Sequence, residues 1–155
     1  MTVSAKESFI LKTLPPPAVF SFFALLHFIL GFSENMTIPV PLGLISLTLL
    51  AAGGIFAATS LYMFTAEGIS PLPWKTNDTV LFTGGIYGIS RNPMYLSLML
   101  CLTGIGITFC PLLLLMTLPL IFHYLSLITE REETVNGILF GRNFSEYCRK
   151  TRRWL

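Results

Sequence analysis

The sequence predicts an all-α fold: a polytopic membrane bundle of about four transmembrane helices, ending in a cytoplasmic C-terminal helix. Of its 155 residues, 53% are hydrophobic and only 12% are charged, whereas soluble domains carry about 25% charged residues. The mean hydropathy is +0.70. Apolar segments of helical length alternate with short polar ones. The length suits one compact bundle, so residues 1–155 are predicted to form a single domain.

Four apolar segments are the predicted spans, at about residues 18–32, 39–66, 94–110 and 112–128. Almost nothing separates the last two, which predicts a tight hairpin turning at Cys110 and Pro111. Small residues in the second span, including Gly53 and Gly54, allow neighbouring helices to approach closely. Gly104 and Gly106 lie inside the third span and are interpreted in the same way, not as a phosphate loop.

The basic residues predict the orientation. Lys6 and Lys12, then Lys75 and Arg91, and finally a C-terminal cluster all fall on one side of a four-span arrangement. Cytoplasmic loops carry the excess of lysine and arginine, so both termini are predicted to be cytoplasmic. We expect an integral protein of a bacterial or archaeal cytoplasmic membrane, or of the endoplasmic reticulum in a eukaryote. The basic tail is expected to contact the lipid bilayer and no nucleic acid.

Residues 84–95, here called the return segment, precede the third span. They contain Tyr87, Arg91, Asn92, Pro93 and Tyr95. Asn92 and Pro93 are typical of a helix cap followed by proline in the first turn. The tyrosines could be ordinary interfacial anchors. Arg91 fits less well, because a helix N-terminus already carries partial positive charge. It indicates an anionic or electron-rich partner.

Two glutamates follow the fourth span directly. If the helix continues past residue 128, Glu132 shares a face with Ile128, Val135 and Leu139, while Glu133 is turned about 100° away. An ionisable side chain that faces a membrane bundle is by default a functional candidate. Arg91 is the predicted partner of Glu132, and a cationic or hydroxyl-rich ligand between them is the alternative. A helix that leaves the membrane with solvated charges is the simpler interpretation.

The remaining polar residues show no further catalytic pattern. The three cysteines have no metal-ligand spacing, and His27 and His123 stand alone in apolar spans. No Ser/His/Asp set is present. Because the cysteines and histidines form no cluster with metal-ligand spacing, we expect no metal.

Several short motifs occur in an order that resembles a known family. They are Pro71-Leu72-Pro73-Trp74, Leu81-Phe82-Thr83-Gly84-Gly85-Ile86-Tyr87, Arg91-Asn92-Pro93-Met94-Tyr95-Leu96, Glu132-Glu133, Phe140-Gly141, Glu146-Tyr147 and Arg152-Arg153-Trp154. The set is similar to the integral-membrane methyltransferases that include isoprenylcysteine carboxyl methyltransferase and the phospholipid N-methyltransferases. The resemblance covers roughly residues 64–155.

The resemblance implies a site for S-adenosylmethionine at the cytoplasmic membrane surface, within about residues 67–155. Carried over by position, the cofactor-binding residues are Thr79, Val80, Leu81, Phe82, Tyr87, Asn92, Pro93, Met94, Tyr95, Glu132 and Glu133. Arg91 and Glu132 are the candidate catalytic residues. Ile128 stands where the isoprenylcysteine enzymes carry a substrate-binding arginine, which counts against a carboxylate acceptor of the same kind.

The expected function is methyl transfer to a lipophilic or small membrane-accessible acceptor, which is a carboxylate, an amine or a thiol. An NADPH-dependent membrane reductase of the sterol type is one alternative. A non-catalytic membrane protein whose basic tail binds lipid is the other. Cofactor binding separates the three hypotheses.

The predicted topology can be tested with reporter fusions. Fusions after Lys12, near Asn35, near Lys75 and at Leu155 are expected to report inside, outside, inside and inside. An outside signal near Lys75 would contradict the four-span arrangement.

Overall fold

The computed structural model of the protein describes residues 14–32, 38–69 and 80–155. These residues form five α-helices and one short 3-10 helix, with no strand in the described ranges, so the all-α prediction is confirmed. In chain order the elements are α1 (Pro16–Phe32), α2 (Val40–Ala66), the 3-10 helix (Gly85–Gly88), α3 (Pro93–Phe109), α4 (Pro111–Phe140) and α5 (Arg142–Lys150).

The first four helices match the predicted spans, except that α4 continues to Phe140, whereas the fourth span was predicted to end at residue 128. Two of them, α2 and α4, are long and apolar enough to cross a membrane. The most apolar stretch of α2 is only 11% buried within the protein, which suits a helix that faces lipid. Both α1 and α3 are 17 residues long, so the four-span topology stays a prediction.

Small residues set the close packing of α2 on α3. A Cβ atom added to Gly53 would lie 2.5 Å from the Cys101 sulfur and 3.0 Å from the carbonyl oxygen of Ser97. One added to Gly104 would lie 2.8 Å from a Leu50 side-chain carbon. The expectation for Gly53 and Gly104 is therefore confirmed. Gly54 has open space where its Cβ would be, so it does not take part.

The predicted hairpin is also confirmed, because Cys110 alone separates α3 from α4. Leu102 of α3 packs with Ile121 and Leu125 of α4 to form the buried core. Tyr95 and Trp154 pack against this core from the end of the bundle that carries Glu132.

A buried histidine joins α1 to α4. His27 is fully buried, and its Nδ1 lies 2.8 Å from the Phe23 carbonyl oxygen. Because a carbonyl only accepts, Nδ1 carries the proton, and Nε2 accepts from the Thr117 hydroxyl at 3.3 Å. His27 is therefore a packed, hydrogen-bonded residue, whereas the ring of His123 is exposed.

Some sequence predictions lie outside the described residues. They concern the polar start at 1–13, the turn at 33–37, and the segment 70–79 with Trp74, Lys75 and Thr79.

The glycine pair in α2 offers a matched test of the helix packing. Gly53→Ala is expected to destabilise the protein by about 1–3 kcal/mol, because its Cβ meets the backbone of α3. Gly54→Ala is expected to be neutral or slightly stabilising, since alanine favours a helix and meets nothing there. Thermal unfolding in detergent measures both. Equal effects would contradict the close approach at Gly53.

Candidate active site

Three separate parts of the chain meet at one end of the bundle: the return segment, the last turns of α4, and the tail after α5. The Arg91 amide donates to the Arg152 carbonyl at 3.0 Å. The Ser90 hydroxyl and the Asn92 side-chain amide both donate to the Arg153 carbonyl, at 3.1 and 3.2 Å. The return segment is therefore fastened to residues 152–153, about 60 positions later in the chain.

One carboxylate, that of Glu133, connects all three parts. Its Oε1 accepts from Arg91 Nη2 at 2.7 Å and Nε at 3.0 Å. Its Oε2 accepts from Arg153 Nη2 at 2.7 Å and Nε at 3.1 Å. The side chains of Arg91 and Glu133 are only 13% and 15% exposed. Charge-assisted contacts of this kind are strong, and water screens them little at this depth.

Arg91 also holds the end of α5. Its Nη1 donates to the carbonyl oxygens of Thr151 at 2.8 Å and Cys148 at 3.2 Å. These are carbonyls that a helix C-terminus leaves without internal donors, and a cation is favourable beside them. The arginine that is poorly placed at the start of α3 is thus well placed at the end of α5.

The expectation that Arg91 has an anionic partner is confirmed, but the predicted partner was wrong. Arg91 pairs with Glu133, and not with Glu132. Helix geometry turns the two glutamates toward different neighbours. Glu133 faces the return segment and the tail, and no local pattern in the sequence places either of them on that side of α4. Glu133 is consequently enclosed, although it was expected to be turned away from the bundle.

Glu132 has a different neighbour. The hydroxyl of Tyr95, in the first turn of α3, donates to Glu132 Oε1 at 2.7 Å. Ile128 is buried, as predicted for the face that includes Glu132, but Leu139 on the same predicted face is 56% exposed. The buried face ends before Leu139 because α4, with 30 residues, extends well past the first turn of its 17-residue hairpin partner α3. The predicted inward orientation of Glu132 agrees with its half-buried position.

Aromatic rings form a wall beside this carboxylate. Phe82 stacks on Tyr87 with ring centroids 5.5 Å apart, and Phe64 at the end of α2 meets both rings edge-on. Burial raises the pKa of Tyr87 well above its usual value, and the nearby Tyr147 and Glu132 add to the effect. Tyr87 is therefore a neutral phenol at physiological pH, and it lies close enough to Glu132 for the two side chains to interact electrostatically.

Helix α5 contacts one of these aromatic residues, Tyr87, through Tyr147. The Tyr147 hydroxyl donates to the Tyr87 carbonyl at 2.6 Å. Burial raises the pKa of Tyr147 to about 12, so its proton remains in place for this bond throughout the physiological range.

The other predicted site residues occupy mixed positions. Pro93 begins α3 and is buried, while Leu81 and Met94 are half-buried and Val80 is 40% exposed. Asn92 stands at the N-cap position, but its side chain makes no capping hydrogen bond, because it donates to the tail instead. The capping interpretation of its side chain was therefore wrong. Thr79 lies outside the described residues.

The structure adds functional candidates that sequence reasoning missed. Arg153 and Tyr147 were noted only as parts of the family resemblance, and Ser90 was given no role. Each of them makes a contact about 20 or 60 residues distant in the chain. No local pattern could have indicated these contacts. Within the described ranges, no group of three or more histidine, cysteine or acidic residues is arranged to hold a metal ion.

These observations define a membrane-associated helical protein with an enclosed carboxylate site at one end of its bundle. Comparison with family models matches residues 42–143 to the phospholipid methyltransferase family. The match covers more than half of the chain, and the chain belongs to this family. Membership implies a methyltransferase with lipid-related substrates.

The extent of the match refines the resemblance seen in the sequence. It begins at residue 42 and so includes most of α2, which the motifs had not assigned to the family. It ends at residue 143, before the tail that Arg91 and Glu133 hold. No curated protein and no solved structure matches the chain.

The carboxylate shared by two arginines leads to a stability prediction. Glu133→Gln is expected to lower the free energy of unfolding by about 3 kcal/mol, because it leaves the enclosed Arg91 guanidinium without its counter-charge and removes one of the two carboxylates that Arg153 contacts. Glu130→Gln, on the same helix, is the control. Its side chain is 60% exposed and only one contact, at 3.3 Å, joins it to Arg153, so its effect should stay below about 1 kcal/mol. Chemical denaturation of both variants measures the difference, and similar losses would contradict a central role for Glu133.

Proposed function

We propose that the protein transfers a methyl group from S-adenosylmethionine to the polar head of a lipophilic acceptor at the membrane surface. The observation that carries the proposal is the membership of the phospholipid methyltransferase family. The site described above supports it, because a half-buried carboxylate and an aromatic wall lie together where the bundle meets the tail.

The residues present suit this cofactor. Glu132 is placed to bind the ammonium group or the ribose hydroxyls, both of which need an acceptor. Phe82 and Tyr87 offer ring faces to an adenine or to a positively charged sulfonium. When bound, S-adenosylmethionine supplies a methyl group on a sulfonium, which is an activated carbon that needs no metal.

The chain's own contribution is orientation and exclusion of water. Methyl transfer is an in-line displacement that depends on alignment of the two reactants more than on an elaborate catalytic set. Tyr95 fixes the Glu132 carboxylate through its hydroxyl. Arg91 was predicted to be catalytic, but its donors are directed to Glu133 and to the tail. We therefore assign Arg91 and Glu133 a positioning role, and Glu132 the contact with the cofactor.

An amine of a lipid head group is the acceptor class that we favour. The family description names phospholipids. Ile128, which is buried one turn before Glu132, provides no cation for an acceptor carboxylate. A lipophilic acceptor would approach laterally between helices, while the cofactor would come from the cytoplasm. This arrangement rests on the predicted orientation, with both termini on the cytoplasmic side.

Titration of S-adenosylmethionine into purified variants tests the proposal. Glu132→Gln is expected to weaken binding roughly ten- to a hundredfold, because a charge-assisted hydrogen bond is worth about 1.5–3 kcal/mol. Glu133→Gln should lower thermal stability far more than it lowers affinity measured well below the unfolding temperature. Glu130→Gln should bind like the wild type.

Each unexpected outcome has a definite meaning. Wild-type protein that does not bind S-adenosylmethionine would contradict the proposal and favour a lipid-binding protein without catalysis. Binding of NADPH in its place would favour the reductase. Equal losses of affinity in Glu132→Gln and Glu133→Gln would contradict the separate roles given to the two glutamates.

A further inference from the structure

One hydroxyl in the described part of the chain is enclosed without a hydrogen-bond partner. It is Oγ1 of Thr129, on α4, in a residue with no exposed surface. Burying a hydroxyl with no partner costs free energy, and most buried polar groups in proteins have a hydrogen-bond partner.

Other hydroxyls on the helices show that a partner is normally available. On α4 itself, the Thr134 hydroxyl donates to the Glu130 carbonyl at 2.8 Å, four residues back. Thr117, which is 2% exposed, donates to His27. Ser60 on α2 is fully buried and donates to the Phe56 carbonyl at 2.7 Å. A threonine in a helix readily makes this bond to its own backbone. Thr129 does not.

The position of Thr129 connects it with the proposed site. It lies three residues before Glu132 and four before Glu133, so its side chain is a direct neighbour of both along one face of α4. Leu125, one turn earlier on that face, belongs to the buried core. Thr129 therefore occupies the boundary between the apolar core and the carboxylates.

We propose that Thr129 is a further ligand-binding residue, whose hydroxyl contacts a polar group of the cofactor bound at Glu132. The inference rests on the proposed function. S-adenosylmethionine carries amine, carboxylate and ribose hydroxyl groups along its length, so a ligand held by Glu132 can present a second polar group one helical turn away. Since the hydroxyl is enclosed, a neighbouring side chain must shift when the ligand enters.

The test relies on opposite changes in stability and binding. Thr129→Val keeps the shape of the side chain and removes the hydroxyl. In the ligand-free protein it is expected to raise the apparent melting temperature by about 2–4 °C, because an unsatisfied polar group is lost. Calorimetric titration with S-adenosylmethionine is expected to show affinity weakened about threefold to tenfold, the effect of one neutral hydrogen bond.

Two further variants are matched controls. Thr117→Val removes a buried hydroxyl from the same helix, but one that already has a partner. It should lower the melting temperature and leave the affinity for S-adenosylmethionine unchanged. Thr129→Ser keeps the hydroxyl and should retain an affinity within about twofold of the wild type. Thr129→Ala and Thr117→Ala repeat the comparison with smaller side chains: the first should weaken the affinity for S-adenosylmethionine and the second should leave it unchanged.

The outcomes separate this inference from the proposed function. Wild-type protein that fails to bind S-adenosylmethionine would overturn both. Wild-type binding with unchanged affinity in Thr129→Val would overturn the inference alone. A lower melting temperature in ligand-free Thr129→Val would also overturn it, because the hydroxyl would then have a structural partner such as a buried water.

Discussion

The carboxylate of Glu133 is the contact on which the polar end of this protein depends. One oxygen holds Arg91 of the return segment and the other holds Arg153 of the tail. Because both guanidinium groups are directed to a single residue of α4, three parts of the chain are fixed relative to one another. A group this enclosed must keep its partners, since removing one leaves an uncompensated charge. The arrangement therefore behaves as one unit.

This constraint explains why the two adjacent glutamates have different neighbours. Consecutive residues of a helix point about 100° apart. With Glu133 committed to the arginines, Glu132 is directed toward α3, where the Tyr95 hydroxyl holds it. A carboxylate shared by two arginines is committed to them, which suits the positioning role proposed for Glu133. The role proposed for Glu132 is the contact with the cofactor.

The apolar part of the bundle follows different physics. In lipid there is no hydrophobic driving force for helices to associate, so their close approach depends on small residues and on hydrogen bonds between helices. Gly53 and Gly104 bring α2 and α3 together, and the Ser46 hydroxyl crosses between them to the Gly104 carbonyl at 2.7 Å. His27 and Thr117 join α1 to α4 in the same manner. Against this background of satisfied polar groups, the hydroxyl of Thr129 stands out.

The sequence by itself determined the class of fold, the hairpin at Cys110 and the close packing at Gly53 and Gly104, and it indicated Arg91, Tyr95 and Glu132 as candidate site residues. These features arise from composition, helical period and short motifs, all of which are local. Only the tertiary structure decided that Arg91 pairs with Glu133, that the Asn92 side chain holds the tail, that Arg153 contacts Glu133, and that the Thr129 hydroxyl is enclosed without a partner. Partners such as Ser90 and Arg153 are 63 residues apart, and no local pattern specifies which side of α4 the tail will cover. Packing of the tail on the bundle makes that choice.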